Sequence, residues 1–255
     1  MDEELKNFNS QQKEVIQLLK LLHDNKILPH IILAGSWAEY LFAQAGVLPG
    51  YTLTLRTIDI DFLIRNLRKP TQPVSLPAIA KENGYTIAHD TLMGTTKLFS
   101  PDGLEIEFLI PQKGSGAERI METNLGVNAQ ALRHMDIVID NTLTVNFLGM
   151  PIMIPCPEIY VLHKIIINDE RKPAKRIKDF NSILRLWPYM NYDKMGSICA
   201  TLSKKEKSKV RTFLEKNGEE INYNLKVEDK IKFAEFISQN FNDLKIQKNE
   251  RIIEK

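Results

Sequence analysis

Apolar residues recur along the chain in two rhythms, and these divide it into two parts. Over residues 9–25, Val15, Leu18, Leu19 and Leu22 fall on one helical stripe. Residues 30–34 form a short apolar run that predicts a buried strand. Residues 36–45 return to helical spacing through Trp37, Tyr40, Leu41 and Ala45, and 46–51 are a loop rich in turn formers. A strand run over 53–64 follows. A connection over 68–77 holds Pro70, Pro73 and Pro77, and a short helix is predicted at 76–83. Three strand-like runs come next, at 85–89, 95–99 and 104–110. Pro101-Asp-Gly103 predicts a hairpin between the last two. Residues 112–116 read as a flexible loop, and a further hairpin is expected from 136–139 and 143–147 around Asp140-Asn141.

The pattern changes near Met153-Ile-Pro-Cys-Pro157, and beyond it the spacing is helical to the end. Pro157 suits the first turn of a helix. Pro173 separates that helix from one over 174–186, which Pro188 ends. In the charged remainder, Ile231, Phe233, Phe236 and Ile237 are the expected apolar anchors. The reading is therefore an α+β domain over 1–155 and a helical domain over 156–255.

Composition changes this picture little. The 255 residues are 43% hydrophobic, enough for a real core in one or two domains, and the net charge of +2 argues neither for nor against a nucleic-acid partner. Cys156 and Cys199 form neither a metal-ligand spacing nor a disulfide framework. The acidic start Met-Asp-Glu-Glu-Leu-Lys has no apolar signal core, and no run is long enough to span a bilayer. A cytoplasmic protein without membrane contact is expected. No Gly-x-Ser-x-Gly, Walker lysine loop or Cys/His cluster is present.

The candidate chemistry lies in two near-copied segments, Ile58-Asp-Ile-Asp-Phe-Leu-Ile64 and Leu104-Glu-Ile-Glu-Phe-Leu-Ile110. Positions i and i+2 of a strand share a face, so Asp59 lies beside Asp61 and Glu105 beside Glu107. Either segment alone also describes any half-exposed strand. Together, four carboxylates call for a positive partner, and Asp-x-Asp with an acid on a neighbouring strand suits magnesium. Glu107 is favoured as the third metal carboxylate because it precedes Phe-Leu-Ile as Asp61 does. Glu105 is the alternative. Upstream, Gly35-Ser36 follows an apolar strand and opens a helix, where backbone N–H groups and the serine hydroxyl can receive phosphate. Arg56 either pairs with the carboxylates or contacts a triphosphate.

Basic residues gather between Lys164 and Arg185, a cluster that reads as a solvated face or as a site for triphosphate or RNA backbone. Lys164 stands apart because it lies inside an apolar run. Lys97, on the strand expected to pair with the acidic one, is a further phosphate candidate. Trp37 and Tyr40 read as core.

Strand–Gly-Ser–helix, then Asp-x-Asp, then an acid on a later strand resembles the nucleotidyltransferase superfamily of DNA polymerase β type. The stretch Arg56-Thr-Ile-Asp-Ile-Asp-Phe-Leu-Ile64 is similar to that of bacterial nucleotidyltransferases related to the AbiE-system toxins. Glu105-Ile-Glu-Phe-Leu-Ile-Pro111 is similar to their third acidic strand. Lys164-Ile-Ile-Ile-Asn-Asp-Glu-Arg171 with Lys178-Asp179 is similar to their later helices, although Phe180-Asn-Ser182 stands where a second aspartate is usual. The resemblance covers residues 30–185. It implies a nucleotidyltransferase-type mixed sheet with flanking helices, plus a C-terminal helical domain closing a cleft. It implies transfer of a nucleoside monophosphate from a triphosphate to an acceptor hydroxyl, with two Mg2+ ions, or Mn2+ in their place. By carry-over, Asp59, Asp61 and Glu107 hold metal, Gly35 and Ser36 bind phosphate, and Lys164 and Arg56 reach the nucleotide. The same resemblance points to tRNA or another RNA as acceptor in a toxin or defence setting, with an antitoxin protein as partner. The rival readings are an enzyme acting on a small acceptor such as an aminoglycoside, and a non-catalytic relative that binds nucleic acid or a protein.

Overall fold

In the computed structural model the helical stripe of residues 9–25 becomes α1 (Ser10–Asp24), with Val15, Leu18, Leu19 and Leu22 all buried. Its start is fixed by a capping box. The Asn9 side chain accepts from the Gln12 backbone N–H at 2.8 Å, and the Gln12 side chain accepts from that of Asn9 at 2.9 Å. The residues described are 5–53, 55, 57–65, 74–90, 94–112, 120–241 and 244. The chain divides into two compact units, Met1–Pro155 and Cys156–Lys255.

In the first unit β1 (Ile31–Ala34), buried at every position, runs directly into α2 (Gly35–Gln44). Then come β2 (Asp59–Ile64), α3 (Leu76–Glu82), β3 (Thr86–His89), β4 (Thr96–Phe99) and β5 (Glu105–Pro111). After them stand β6 (Ile120–Glu122), β7 (Asn128–Leu132), α4 (Asp136–Ile139), β8 (Thr142–Phe147) and β9 (Met150–Pro155). The main sheet has the order β1-β2-β5-β4-β3. Only β2–β5 and β5–β7 are parallel, so the sheet is mixed. β4 pairs with the first half of β5 and β7 with its end, while β6 closes onto β7. Ile60, Phe62, Leu98, Ile106 and Phe108 are buried in the sheet. Each such side chain contributes about 1.5–3 kcal/mol on leaving water. That burial holds the intervening acidic positions in register.

Two expectations are corrected in this unit. Of the predicted strand over 53–64, the described residues are strand from Asp59 onward. The predicted hairpin around Asp140-Asn141 does not form. Asp136–Ile139 is a helical turn, and the Asn141 side chain caps it by donating to the Ile137 carbonyl at 2.8 Å. β8 instead pairs with β9, a strand the sequence reading lacked, through a two-residue turn at Leu148-Gly149. Both turn residues have positive φ (50° and 79°), as the twist of a tight hairpin demands. β6 and β7 were also not anticipated. Pro70, Pro73 and residues 113–116, read as connection and loop, lie outside the described residues.

The second unit is helical: α5 (Pro157–Ile167), α6 (Pro173–Leu186), α7 (Tyr192–Thr201), α8 (Lys204–Tyr223) and α9 (Val227–Asn240). Pro157 and Pro173 open their helices, where the missing N–H costs nothing. Ser203 and Glu206 form a capping box at α8. Trp187 meets Phe233 edge to face at 5.7 Å, and Phe236 lies beside Tyr192. Phe233, Phe236 and Ile237 are buried as expected, but Ile231 is 61% exposed. It shares a face with exposed Val227, four residues earlier, on the side of α9 away from that stripe. The fold class is therefore α+β: a mixed sheet with helices, followed by a helical unit.

Candidate active site

The site starts from the register of two parallel strands. Asp59 stands opposite Glu105, and Asp61 opposite Glu107. Adjacent strands are about 4.8 Å apart and alternate residues about 6.6 Å apart along a strand. The four carboxylate-bearing positions thus form a small rectangle on one sheet face. The residues between them, Ile60 and Ile106, are buried on the other face. Asp59 is exposed, and Asp61, Glu105 and Glu107 are half-buried.

Gly35 is brought against this rectangle by a second register. Ala34, at the end of β1, pairs with Asp61, so the next residue arrives beside the Asp61 side chain. Gly35 has φ of +63°, and a Cβ there would lie 2.3 Å from Asp61 Oδ2. Only glycine tolerates both the backbone angle and the approach. Ser36 follows in the first turn of α2, whose opening N–H groups have no partners within the helix. Trp37 and Tyr40 are buried and meet edge to face at 5.4 Å, in keeping with a core role.

The third strand adds a cation. Lys97 on β4 lies directly opposite Glu107, and its Nζ is 2.5 Å from Glu105 Oε1 and 2.5 Å from Glu107 Oε1. These hydrogen bonds, that to Glu105 foremost, raise the lysine pKa further, so it is an ammonium at any physiological pH. The turn between β4 and β5 is held from two directions. Ser100 Oγ accepts from the Leu104 N–H at 2.7 Å, and the buried Glu14 of α1 accepts from the Asp102 N–H at 3.1 Å. Gln11, one turn earlier on α1, donates to the Thr57 carbonyl just before β2.

Carboxylates on rigid neighbouring strands are the donor type that magnesium takes. Asp59 and Asp61, with Gly35 against the latter, fit such an ion in kind. Among the described residues, no three Asp, Glu, His or Cys side chains already converge as a complete ligand set. Glu105 and Glu107 instead converge on Lys97. Register counting outward from Pro101-Asp-Gly103 would have found this: it sets Phe99 against Glu105 and Lys97 against Glu107.

Arg56 lies outside the described residues. Lys164 belongs to the second unit, on α5, where its Nζ is 2.6 Å from Asp179 Oδ1 and 4.9 Å from the centre of the Tyr160 ring. Arg171 Nε reaches the other oxygen of Asp179 at 3.2 Å. Asp179 is only 4% exposed, so the two cations offset the cost of its burial. The charge in the apolar run of α5 thus has a local partner on α6. Lys172, Lys175, Arg176 and Lys178 are exposed on the first turns of α6 or just before it.

A family model described as Nucleotidyltransferase matches residues 13–193, which include every element of the acid rectangle. No curated protein matches the chain. Among solved structures, similarity is found to an antigenic nucleotidyltransferase-like protein from Paracoccidioides brasiliensis, at 13% identity, over 91% of this chain and 98% of that one, with a TM-score of 0.49. A second is ANT(2″)-Ia in complex with adenylyl-2″-tobramycin, at 14% identity, over 74% and 95% of the two chains, with a TM-score of 0.42. At these values neither likeness carries its substrate over to this chain. No helix among the described residues is long and apolar enough to cross a membrane.

Proposed function

Since the chain belongs to the nucleotidyltransferase family, we propose that it moves a nucleoside monophosphate from a nucleoside triphosphate to an acceptor hydroxyl, using the Asp59–Asp61 face of β2 as its centre. The observation that carries this reading is the parallel register of β2 and β5, with Gly35 packed against Asp61. The acceptor oxygen forms a bond to the α-phosphorus, and the bond from that phosphorus to the bridging oxygen breaks. Pyrophosphate leaves, and the hydroxyl proton passes to a carboxylate of the rectangle. The backbone N–H groups at the start of α2 and the Ser36 hydroxyl bind phosphate oxygens, which their orientation at a helix start favours. Lys164 and Arg56 are the basic residues assigned to the nucleotide in this reading. Mg2+, or Mn2+ in its place, would be held by Asp59 and Asp61 and would neutralise charge developing on the phosphates.

An RNA acceptor is supported by the exposed basic run Lys172, Lys175, Arg176 and Lys178, which suits a polyanion better than a cationic aminoglycoside. A toxin or defence setting, with an antitoxin protein as partner, is supported by the Arg56–Ile64 segment alone.

The test is label transfer. The chain is incubated with Mg2+, each labelled nucleoside triphosphate in turn, and either total cellular RNA or an aminoglycoside. An Asp59→Ala, Asp61→Ala double variant runs beside it. Transfer to RNA that the double variant loses is the expected result. Transfer to the aminoglycoside alone replaces the acceptor and leaves the chemistry. No transfer to either, together with calorimetry showing no divalent-dependent triphosphate binding, overturns the reading.

A further inference from the structure

Four carboxylates within one rectangle would require more positive charge than one divalent ion supplies, and Lys97 already provides part of it. Its ammonium touches one oxygen of each glutamate and stands in register with Glu107. The turn that delivers it is fixed by Ser100 and by Glu14 of α1, so the lysine is presented by a braced hairpin. We propose that Lys97 is a built-in counterion that takes the place of a second divalent ion at Glu105 and Glu107, leaving a single divalent site at Asp59 and Asp61. The inference rests on the nucleotidyltransferase reading above, and it deepens that reading by assigning the two glutamates to a lysine and only the two aspartates to metal. It also gives the near-copied strands different duties: β2 faces the metal, and β5 faces a fixed cation.

Mn2+ binding to the full chain, without nucleotide, tests this directly. Free Mn2+ is followed by its paramagnetic resonance signal, and the metal-induced rise in melting temperature is recorded beside it. The wild-type chain is expected to bind one ion. Lys97→Met is expected to bind a second ion, or to bind Mn2+ at least about tenfold more tightly overall, because a positive charge a few ångströms away has been removed. Its melting temperature should rise more on adding Mn2+ than that of the wild type. Lys97→Arg keeps the charge and should bind as the wild type does. The gain in Lys97→Met should vanish when Glu105→Gln and Glu107→Gln are added. If methionine prevents folding, Lys97→Gln carries the same expectation.

The inference is overturned if Lys97→Met and Lys97→Gln match the wild type in stoichiometry and affinity while Asp59→Asn, Asp61→Asn loses binding. That outcome leaves the proposed function standing. If neither the wild type nor the Lys97 variants bind Mn2+ at all, both the inference and the metal-dependent reading fall.

Discussion

Replacing Gly35 by alanine perturbs two quantities that the structure allows to be separated. The first is backbone strain. Gly35 sits at φ +63°, where an L side chain costs about 1–2 kcal/mol. The second is contact. The new Cβ would lie 2.3 Å from Asp61 Oδ2, whereas carbon and oxygen rest comfortably at about 3.5 Å. Either the carboxylate or the α2 start must therefore shift by roughly 1 Å, a displacement that costs about a hundredfold in rate where geometry governs the reaction. Gly46 supplies the control. Its φ is +67°, yet a Cβ there meets nothing within 4 Å among the described residues. Gly46→Ala should lose about 1–2 kcal/mol, or roughly 2–8 °C in melting temperature for a chain of this size, and Gly35→Ala at least as much. Only Gly35→Ala should also lose label transfer by about a hundredfold and weaken Mn2+ binding. Equal transfer rates in the two variants would refute the claim that Gly35 positions Asp61.

Three further outcomes follow from the described contacts. Asp179→Ala leaves the largely buried Lys164 and the part-exposed Arg171 without their shared carboxylate, and should lower stability by about 3 kcal/mol in urea unfolding; a loss below about 1 kcal/mol would show that the cations find other partners. Leu148→Asn should raise the melting temperature by about 1–4 °C, because Asn accepts the positive φ of the β8–β9 turn more readily than Leu; an unchanged or lower value would count against strain at that turn. Alkaline pH should destabilise the fold. Burial raises Tyr85 from 10.0 to about 12, with the Glu14 charge adding to it, and raises Cys199 from 9.0 to about 12 against a smaller opposing pull from Lys207. Both groups are neutral when protonated, and the unfolded chain releases these protons first. The stabilisation is therefore complete below pH 9 and is lost as pH climbs toward 12. Urea midpoints between pH 8 and 11 should fall, and the slope should flatten in Tyr85→Phe and Cys199→Ala.

How much of this could be read from the sequence depended on distance along the chain. The period-two acids of β2 and β5 were legible, because alternation is local and both strands bury strong apolar runs. Their parallel pairing was not, since it joins segments separated by α3, β3 and β4. Lys97 was legible in position, and the hairpin register sets it against Glu107, but that its ammonium also reaches Glu105 is a matter of side-chain placement. β7 escaped notice because Asn-Ala-Gln-Ala-Leu carries little strand propensity and is set by its pairing to β5. The β8–β9 turn was missed because Asp140-Asn141 has turn chemistry and Leu148 does not. There the pairing of two apolar strands overrode the preference of a single residue. Ile231 was misassigned because an isolated apolar residue can fall on either side of a helix whose stripe is short.

The sheet also carries a consequence for the order in which the chain assembles. β1 and β2 pair antiparallel, as neighbouring strands of the chain, and β3, β4 and β5 form a local meander; the two groups join in the sheet through the non-local β2–β5 ladder. Contacts of short sequence separation form first, and such a joining step comes late. Asp59 and Asp61 travel with one group, while Glu105, Glu107 and Lys97 travel together with the other. The lysine thus reaches the joining step already seated on its glutamates, and the repulsion between the approaching halves is that of two charges against one, not two against two. A cation encoded two strands away from the aspartates lowers the charge that the two halves of an acidic centre must bring together.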